Sequence, residues 1–436
     1  MIFLTETSKE LSLRSLKSRS DTMFDIKKCA AAARRASYET ASLSTVEKNK
    51  VLAAIADAFE ENSCLIISAN AEDTAKAEIG GMAENMIDRL RLTDARIKSM
   101  ADGVRVVASL PDPIGEVLYA KRLPNGLEVG KQRVPLGTIG IIYEARPNVT
   151  ADAAALCLKS GNATLLRGGK EAYNSNLAII KIMKKVLEEN GINPDAVSFV
   201  EDTSRETAAK MMKLNGVLDV LIPRGGKNLI KSVVENSTVP VIETGTGNCH
   251  IYVDKSADFD MAVDILINAK TSRPSVCNAA ESLLVHEAIA AEFLPKAAKA
   301  LAEHGVKIIG CEKTRRITEA EAATDEDYGK EYLDLIISCK VVSSTDEAIS
   351  HINRFGTGHS EAIITNSYED SQKFLNGVDA AAVYVNASTR FTDGFEFGFG
   401  AEIGISTQKL HARGPMGLSE LTTTKYIIRG NGQIRG

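Results

Sequence analysis

One cysteine lies in a sequence context that suits a nucleophile. Cys277 lies in TSRPSVCNAAESLLVH, between a predicted helix and a predicted strand. Pro274 and the small residues beside it predict a tight exposed loop, where functional side chains concentrate. A cysteine thiolate is the most nucleophilic side chain available near neutral pH, and its attack on a carbonyl carbon gives a thioester or a thiohemiacetal. The alternative for this residue is a small buried core side chain, as for most cysteines.

Two loops carry the same four residues, RGGK, between a predicted strand and a predicted helix. Arg167 and Lys170 bound the first loop, and Gly225 and Gly226 lie within the second. Glycine lets the backbone approach an anion, and the free N–H groups of a helix N-terminus attract negative charge. Neither loop is a Walker A sequence or a G-x-G-x-x-G fingerprint, so each alone is compatible with an ordinary turn. Their repetition in successive crossovers favours a phosphate-binding function.

Two further residues have both a chemical and a structural interpretation. Glu243 in ETGTGNCH lies at a predicted strand end before two glycines, where it is a candidate general base or a turn-forming cap. His359 in FGTGHSEAI lies in a predicted loop and is a candidate donor to an anion. A lone histidine is more often structural, so both interpretations stay open.

Length and composition exclude several classes of protein. The chain has 436 residues, more than the roughly 100–200 of one domain, so two or three domains are expected. A formal net charge of -5 argues against nucleic acid as the main partner. No apolar run reaches the roughly 20 residues that span a bilayer. The cysteines form no C-x-x-C pair and the histidines no HExxH or HxH spacing, which indicates reduced thiols in the cytoplasm and no structural metal.

Hydrophobic periodicity predicts helices in the first part of the chain. Residues 1–22 are rich in Ser, Lys and Arg and are predicted to form a poorly ordered leader. From Asp25 to about Asp112 the apolar spacing is helical, and one helix is opened by a capping box of Ser44 and Glu47.

The rest of the chain alternates strands and helices. Helices of about 10–15 residues between the strands of residues 136–254, and again after residue 258, predict βαβ crossovers and parallel sheets. Such sheets bind ligands at the carboxyl ends of their strands. Residues 117–134 predict a hairpin centred on Asn125-Gly126, and the late segment LTTTKYIIRGNGQ predicts a strand that pairs with it.

Four segments of the chain resemble the aldehyde dehydrogenase superfamily. They are IGIIYEARPNVT, AKTSRPSVCNAAESLLVH, HINRFGTGHSEAIIT and the long run from NASTRFTDG to TTTKYIIRG. The resemblance extends from about Asp25 to the C-terminus. It implies an α/β fold of the aldehyde-dehydrogenase type, with a Rossmann-like parallel-sheet cofactor domain, an α/β catalytic domain and a small β oligomerisation element.

The resemblance also implies domain boundaries. The NADP-binding domain would comprise residues 23–116 and 135–254, and the catalytic domain residues 255–410. Residues 117–134 and 411–436 would form the oligomerisation hairpin and its C-terminal strand.

The activity implied by the resemblance is the reduction of an acyl phosphate. An enzyme of this kind would reduce L-glutamyl 5-phosphate to L-glutamate 5-semialdehyde with NADPH, in the cytoplasm and in proline biosynthesis. Cys277 aligns with the superfamily nucleophile: its thiolate would attack the acyl phosphate, phosphate would leave, and the thioester would accept hydride. The implied partners are other copies of a homo-oligomer and glutamate 5-kinase, which would supply the acyl phosphate.

Residues around the nucleophile receive roles from the same resemblance. The backbone N–H groups of Cys277 and Asn278 would stabilise the oxyanion, where one lost donor costs about 3 kcal/mol. Arg273 would bind the phosphate of the substrate and Arg390 its α-carboxylate. His359 belongs to a family signature and would help to shape the substrate site.

The cofactor contacts implied by the resemblance favour NADP. Lys170 aligns with a position where NAD-preferring relatives often carry a glutamate, and together with Arg167 it would attract a 2′-phosphate. Gly225 and Gly226 would border the pyrophosphate, and Glu331 would hold the nicotinamide ribose. No metal site is implied.

One position departs from the superfamily pattern. Hydrolytic members carry an oxyanion asparagine before Phe-Pro, whereas this chain has Ala145 in YEARPNV, and Asn148 is displaced by three residues. Glu243 aligns with the general base that activates water, a reaction that a phosphate-releasing reductase avoids. The alternatives that stay open are an NAD(P)-dependent hydrolytic aldehyde dehydrogenase and a non-catalytic nucleotide-binding protein.

Overall fold

A computed structural model describes residues 24–435, so the predicted leader, residues 1–22, lies outside the described residues. The helices are Ile26–Thr40, Thr45–Glu61, Ser63–Ile79, Glu84–Leu90, Asp94–Ser109, Asn148–Lys159, Tyr173–Glu189, Arg205–Met211, Lys227–Asn236, Phe259–Thr271, Glu287–Glu303, Glu312–Ile317, Asp325–Tyr328, Thr345–Phe355 and Tyr368–Gly377. The strands form a four-stranded sheet, a seven-stranded sheet, a three-stranded sheet and a short pair, Ile405–Ser406 with Gly414–Pro415.

The N-terminal helices form a layer against the first sheet. Ser44 Oγ accepts a hydrogen bond from the N–H of Glu47, whose carboxylate accepts from the N–H of Ser44, so the predicted capping box is confirmed. The apolar faces of Thr45–Glu61 and Asp94–Ser109 pack against helix Asn148–Lys159 in one buried core. This core supports the back of the first sheet.

The first sheet has four parallel strands in the order Val197–Phe199, Ala163–Arg167, Thr138–Tyr143 and Val220–Arg224. Its central strand Thr138–Tyr143 is wholly buried, which explains the continuous apolar sequence there. Both RGGK loops follow strands of this sheet and therefore lie at the same edge, where the carboxyl ends of the strands meet. The predicted parallel sheet is confirmed.

The second sheet has seven strands, all of them parallel. Their order is Glu321–Ala322, Lys307–Gly310, Ile336–Val342, Ala280–His286, Cys249–Val253, Ser360–Ile364 and Ala382–Val385. The α/β fold class predicted from the sequence is confirmed by these two sheets.

The predicted domain boundary at residue 254 does not match the sheet to which strand Cys249–Val253 belongs. Cys249–Val253 was placed in the cofactor domain by the boundary at residue 254, but it pairs with Ala280–His286 and Ser360–Ile364 in the second sheet. Apolar alternation predicts a strand but not its distant partners, so the sequence could not assign it. Residues 239–244 make only an isolated bridge to the first sheet, between Leu221 and Val241. The division into domains otherwise stays a prediction.

The third sheet joins the hairpin to the end of the chain. Thr422–Arg429 pairs antiparallel with Glu128–Pro135, which pairs antiparallel with Val117–Arg122. The predicted pairing of hairpin and last strand is confirmed. Tyr426 and Ile428 are 59% and 60% exposed on this sheet. Large apolar side chains exposed together are typical of an interaction surface.

Two kinds of feature are missing from residues 24–435. In that range no helix has the length and apolar character that crossing a bilayer requires. No cluster of His, Cys, Asp and Glu side chains in the same range could hold a metal ion.

Candidate active site

Residues 247–249 contact the backbone of the loop that carries Cys277. Cys277 is half-buried between helix Phe259–Thr271 and strand Ala280–His286, as predicted. A Cβ atom at Gly247 would lie 1.4 Å from the carbonyl oxygen of Cys277, so only glycine fits there. The thiol of Cys249 donates to the same oxygen, with a distance of 3.1 Å between Sγ and O. These contacts hold the backbone of Cys277 in one position.

We expect Gly247→Ala to reduce kcat on the order of 10²-fold, because the added methyl group must displace the backbone of Cys277. The thermal midpoint and kcat would be measured together. The matched control is Gly103→Ala on helix Asp94–Ser109, where the nearest atom to an added Cβ is Asp152 Oδ1 at 3.9 Å. A fully active Gly247→Ala enzyme would contradict the close contact.

The side chain of Asn278 connects the Cys277 loop to the segment that carries Arg390. Its Nδ2 atom donates to the carbonyl oxygens of Arg390 and Thr392, at 3.3 and 2.9 Å, and its Oδ1 atom accepts from the guanidinium of Arg390. The carbonyl oxygen of Asn278 accepts from Thr389 Oγ1 at 2.8 Å. The structure therefore brings Asn278 and Arg390 together, and the side chain of Asn278 is used to hold the loop.

Several guanidinium groups surround Cys277. Arg146 follows strand Thr138–Tyr143, and Arg224 ends the neighbouring strand, so the two lie side by side at the edge of the first sheet. Burial, together with Arg224, Arg89 and Arg273, lowers the pKa of Arg146 to about 10. Within the described residues, no carboxylate forms an ion pair with Arg146, Arg224 or Arg273. These positive charges repel one another and none is neutralised by a direct ion pair, which suits an anionic ligand.

The charges around Cys277 act on its thiol in opposite directions. Burial raises the pKa of Cys277 to about 11, Arg224 acts to lower it, and Glu402 and Glu331 act to raise it. The neutral thiol is therefore the main form at pH 7 when no ligand is bound. Because Arg224 favours the thiolate, it is the group here that most directly promotes nucleophilic attack.

The sequence predicts no site role for Arg146 and Glu402, and predicts Arg224 only as part of the second RGGK loop. Burial raises the pKa of Glu402 to about 7, although Arg224 opposes the shift, and the carboxylate accepts from the N–H of Gly394 at 3.0 Å. Arg146 lies in the quoted segment YEARPNV and Arg224 in the second RGGK loop. Both arginines lie in motifs that the sequence analysis singled out, but only the folded structure shows that they come together near Cys277.

Glu331 lies next to the Cys277 loop. One carboxylate oxygen, Oε1, accepts from the backbone N–H of Gly247 at 2.7 Å. Burial raises the pKa of Glu331, whereas that N–H group and Lys227 lower it. The structure thus brings the residue predicted to hold the nicotinamide ribose close to the predicted nucleophile.

The turn at Gly225 and Gly226 already holds an anion of the chain itself. The N–H of Gly226, at the start of helix Lys227–Asn236, donates to Glu144 Oε2 at 3.0 Å. A Cβ atom at Gly225 would lie 2.4 Å from the same oxygen. The absence of a side chain at Gly225 therefore lets a carboxylate oxygen reach this backbone donor, as a phosphate oxygen can at other helix starts.

The two residues predicted to select NADP differ in their surroundings. Lys170 is exposed at the edge of the first sheet. Arg167 donates through Nη2 to the carbonyl oxygens of Thr203 and Ser204. Lys170 is therefore free to meet a phosphate, whereas Arg167 is partly occupied by the backbone.

His359 lies behind the Cys277 loop, next to Cys249. Its side chain is completely buried, and Nδ1 lies 2.7 Å from Ser360 Oγ and 3.8 Å from Cys249 Sγ. Burial lowers the pKa of His359 to about 4, so the ring is neutral at pH 7. His359 therefore packs behind the Cys277 loop, and its part in shaping the substrate site stays a prediction.

The two parallel sheets, with a cysteine in a loop between a helix and a strand of the second sheet, are typical of one class of protein. The aldehyde dehydrogenase family model matches residues 15–313. An acetylating aldehyde dehydrogenase from Geobacillus thermoglucosidasius has a similar fold, with a TM-score of 0.69 over 98% of this chain and 99% of that chain at 17% identity. The chain belongs to the aldehyde dehydrogenase family, whose members are oxidoreductases that use nicotinamide cofactors.

Within this family the chain is similar to the gamma-glutamyl phosphate reductases. The relative from Carboxydothermus hydrogenoformans is 62% identical over 415 residues, which cover 95% of this chain and 100% of that protein. The crystal structure of gamma-glutamyl phosphate reductase from Thermotoga maritima has a TM-score of 0.92 and 52% identity, and covers 94% of this chain and 99% of that chain.

Proposed function

We propose that the protein reduces L-glutamyl 5-phosphate to L-glutamate 5-semialdehyde with NADPH and releases phosphate, as a step of proline biosynthesis in the cytoplasm. The similarity to gamma-glutamyl phosphate reductases gives the substrate. The observation that carries the proposal is the group of unpaired guanidinium groups, Arg146, Arg224 and Arg273, around Cys277. An acyl phosphate brings the negative charge that these side chains lack.

The chemistry begins at Cys277. Its thiolate, favoured by Arg224, attacks the γ-carbonyl carbon, while the backbone N–H groups of Cys277 and Asn278 stabilise the oxyanion. The C–O bond to phosphate then breaks, and Arg146 and Arg224 stabilise the negative charge of the leaving phosphate. The product of this step is a thioester on Cys277.

Bound NADPH supplies hydride to the thioester carbon. Glu331 and the turn at Gly225 and Gly226 are the groups that would hold the cofactor. Hydride addition gives a thiohemiacetal, which collapses to the aldehyde and returns the electron pair of the C–S bond to Cys277. Water must be excluded from the thioester while the cofactor is bound, because hydrolysis would compete with hydride transfer.

The remaining charges of the substrate need binding groups of their own. Arg273 is exposed four residues before Cys277, and we assign it to the phosphate with Arg146 and Arg224. Arg390 is fixed by Asn278 Oδ1 and by Ser272 Oγ, the latter 3.1 Å from Nε, and we assign it to the α-carboxylate. A guanidinium held on one side can still accept a carboxylate on the other.

The test is the reverse reaction, followed by NADPH absorbance. We expect glutamate 5-semialdehyde and NADP⁺ to form NADPH only when inorganic phosphate is present. Turnover that is indifferent to phosphate would identify a hydrolytic aldehyde dehydrogenase and restore Glu243 as its base. No turnover in either case would overturn the proposal and favour a non-catalytic nucleotide-binding protein.

We expect Lys170→Glu to lower the preference for NADPH over NADH at least about tenfold, because a carboxylate at this exposed position repels a 2′-phosphate. The ratio of kcat/KM for the two cofactors would be measured. Lys181→Glu, an equally exposed change on the next helix, is the control and should leave the ratio unchanged. An unchanged ratio for Lys170→Glu would remove this residue from the cofactor site.

We also propose that the three-stranded sheet joins copies of the chain into a homo-oligomer, and that the labile acyl phosphate comes from a glutamate 5-kinase. Ile428→Lys places a charge on the exposed apolar face of the sheet and is expected to lower the mass measured by light scattering. Leu410→Lys, at a residue that is 85% exposed outside the sheet, is the control. The same mass for wild type and Ile428→Lys would contradict the proposed interface.

A further inference from the structure

A buried ion pair joins helix Phe259–Thr271 to strand Ala280–His286 of the second sheet, close to the Cys277 loop. Lys270 Nζ donates to Glu281 Oε2 at 2.5 Å, and both side chains are completely buried. Removing two charges from water is costly, and apolar side chains of similar volume often stabilise a fold at least as well. Stability alone therefore does not account for the pair.

The second oxygen of Glu281 holds the loop that carries Glu331. Glu281 Oε1 accepts from the backbone N–H of Leu333 at 3.0 Å. Leu333 has φ +55, a left-handed backbone that is unfavourable for leucine, and its side chain is 42% exposed. The hydrogen bond thus maintains a strained backbone two residues after Glu331.

The other side of the same loop is fixed next to the nucleophile. Glu331 Oε1 accepts from the N–H of Gly247, the residue that contacts the backbone of Cys277. Asn248 Nδ2 donates to the carbonyl oxygen of Tyr328 at 2.7 Å. Glu331 is therefore held between the Cys277 loop and the carboxylate of Glu281.

We propose that the Lys270–Glu281 pair positions Glu331 for the ribose of the nicotinamide cofactor. Lys270 Nζ holds Oε2 of Glu281 so that Oε1 meets the N–H of Leu333. This hydrogen bond keeps Leu333 in its left-handed conformation, and Leu333 sets the place of the Glu331 carboxylate. Lys270 and Glu281 are positioning residues, since neither touches the cofactor. The inference rests on the proposed function, in which Glu331 binds NADPH.

Two paired variants separate positioning from charge. Lys270→Met with Glu281→Leu removes the acceptor for the Leu333 N–H, whereas Lys270→Met with Glu281→Gln keeps a carbonyl acceptor and removes only the charges. We expect the Met/Leu variant to weaken NADPH binding at least fivefold by fluorescence titration, and the Met/Gln variant to stay within twofold of wild type.

The same variants in a Glu331→Ala protein test whether the change in NADPH affinity depends on Glu331. In Glu331→Ala the Met/Leu change is expected to have no further effect on NADPH affinity. Equal affinity of the Met/Leu variant and wild type, or an unreduced effect in Glu331→Ala, would overturn the inference. A wild type that binds no NADPH would overturn the proposed function and the inference with it.

One measurement needs no variant and covers the case in which the Met/Leu protein does not fold. Hydrogen–deuterium exchange of wild type should slow in the peptide 329–335 when NADPH is added. Slower exchange only at the turn of Gly225 and Gly226, with peptide 329–335 unchanged, would overturn the inference while leaving the cofactor site in place.

Discussion

Cys277→Ser is expected to lower kcat by at least about 10³-fold, because a serine hydroxyl is a far weaker nucleophile at neutral pH and no base replaces the thiolate. NADPH affinity should stay within twofold, since the side chain is not one of the groups assigned to the cofactor. Single-turnover experiments with the acyl phosphate and mass spectrometry would show whether an acyl-enzyme forms. Wild type should give the thioester and Cys277→Ser none.

The control for this change is Cys64→Ser, an exposed cysteine on helix Ser63–Ile79. It should retain full activity and still form the thioester at Cys277. Acylation of Cys277→Ser at another cysteine, with turnover close to that of wild type, would show that the nucleophile is a different residue.

The pKa of Cys277 gives this thiol a characteristic pH profile. Burial raises that pKa to about 11, so the thiolate fraction of the free enzyme should grow about tenfold for each pH unit between roughly pH 7 and 9. The rate of alkylation by iodoacetamide should rise in parallel. A rate that is constant over this range would indicate a thiolate that is already formed at pH 7.

The second large effect is expected from the arginines. Hydrogen bonds to charged groups contribute about 1.5–3 kcal/mol, so Arg146→Met and Arg224→Met should each raise the KM for phosphate in the reverse reaction roughly 10- to 100-fold. Arg224→Met should also slow the alkylation of Cys277, because Arg224 lowers the pKa of that thiol. Initial rates over a range of phosphate concentrations would measure the first effect.

Arg35→Met, at an exposed arginine on helix Ile26–Thr40, is the matched control and should change neither quantity. Arg224→Lys should recover part of the phosphate affinity, since it keeps the charge and loses the planar fork. If both methionine variants kept the KM of wild type, the phosphate would bind elsewhere, with Arg273 as the remaining candidate.

Local signals in the sequence predicted local structure well. The capping box of Ser44 and Glu47 depends on residues three apart, and the parallel first sheet follows from strands and helices that alternate along the chain. The loop of Cys277 was likewise predicted from its immediate neighbours. Each of these features is determined by contacts within one or two consecutive elements.

The pairing of the hairpin with the last strand was predicted, but other features that depend on distant partners were not. Cys249–Val253 belongs to the second sheet because it pairs with residues 280 and beyond. The apolar sequence of a strand does not indicate which other strand it pairs with. Arg146 and Arg224 become neighbours only through the pairing of Tyr143 with Arg224 across the first sheet. His359 was assigned to the substrate from its signature alone, and its burial could not be read from that motif.

The contact between Glu144 and Gly226 has a consequence for any measured cofactor affinity. The N–H of Gly226, just before helix Lys227–Asn236, is satisfied before a ligand arrives. Binding of a pyrophosphate at the proposed cofactor site would therefore exchange one anion for another. The measured binding free energy would then be the difference between that of the pyrophosphate and that of the Glu144 carboxylate at the same donor. A ligand must therefore bind this donor more strongly than the Glu144 carboxylate does. When the ligand leaves, the carboxylate can return, so the start of the helix stays hydrogen-bonded.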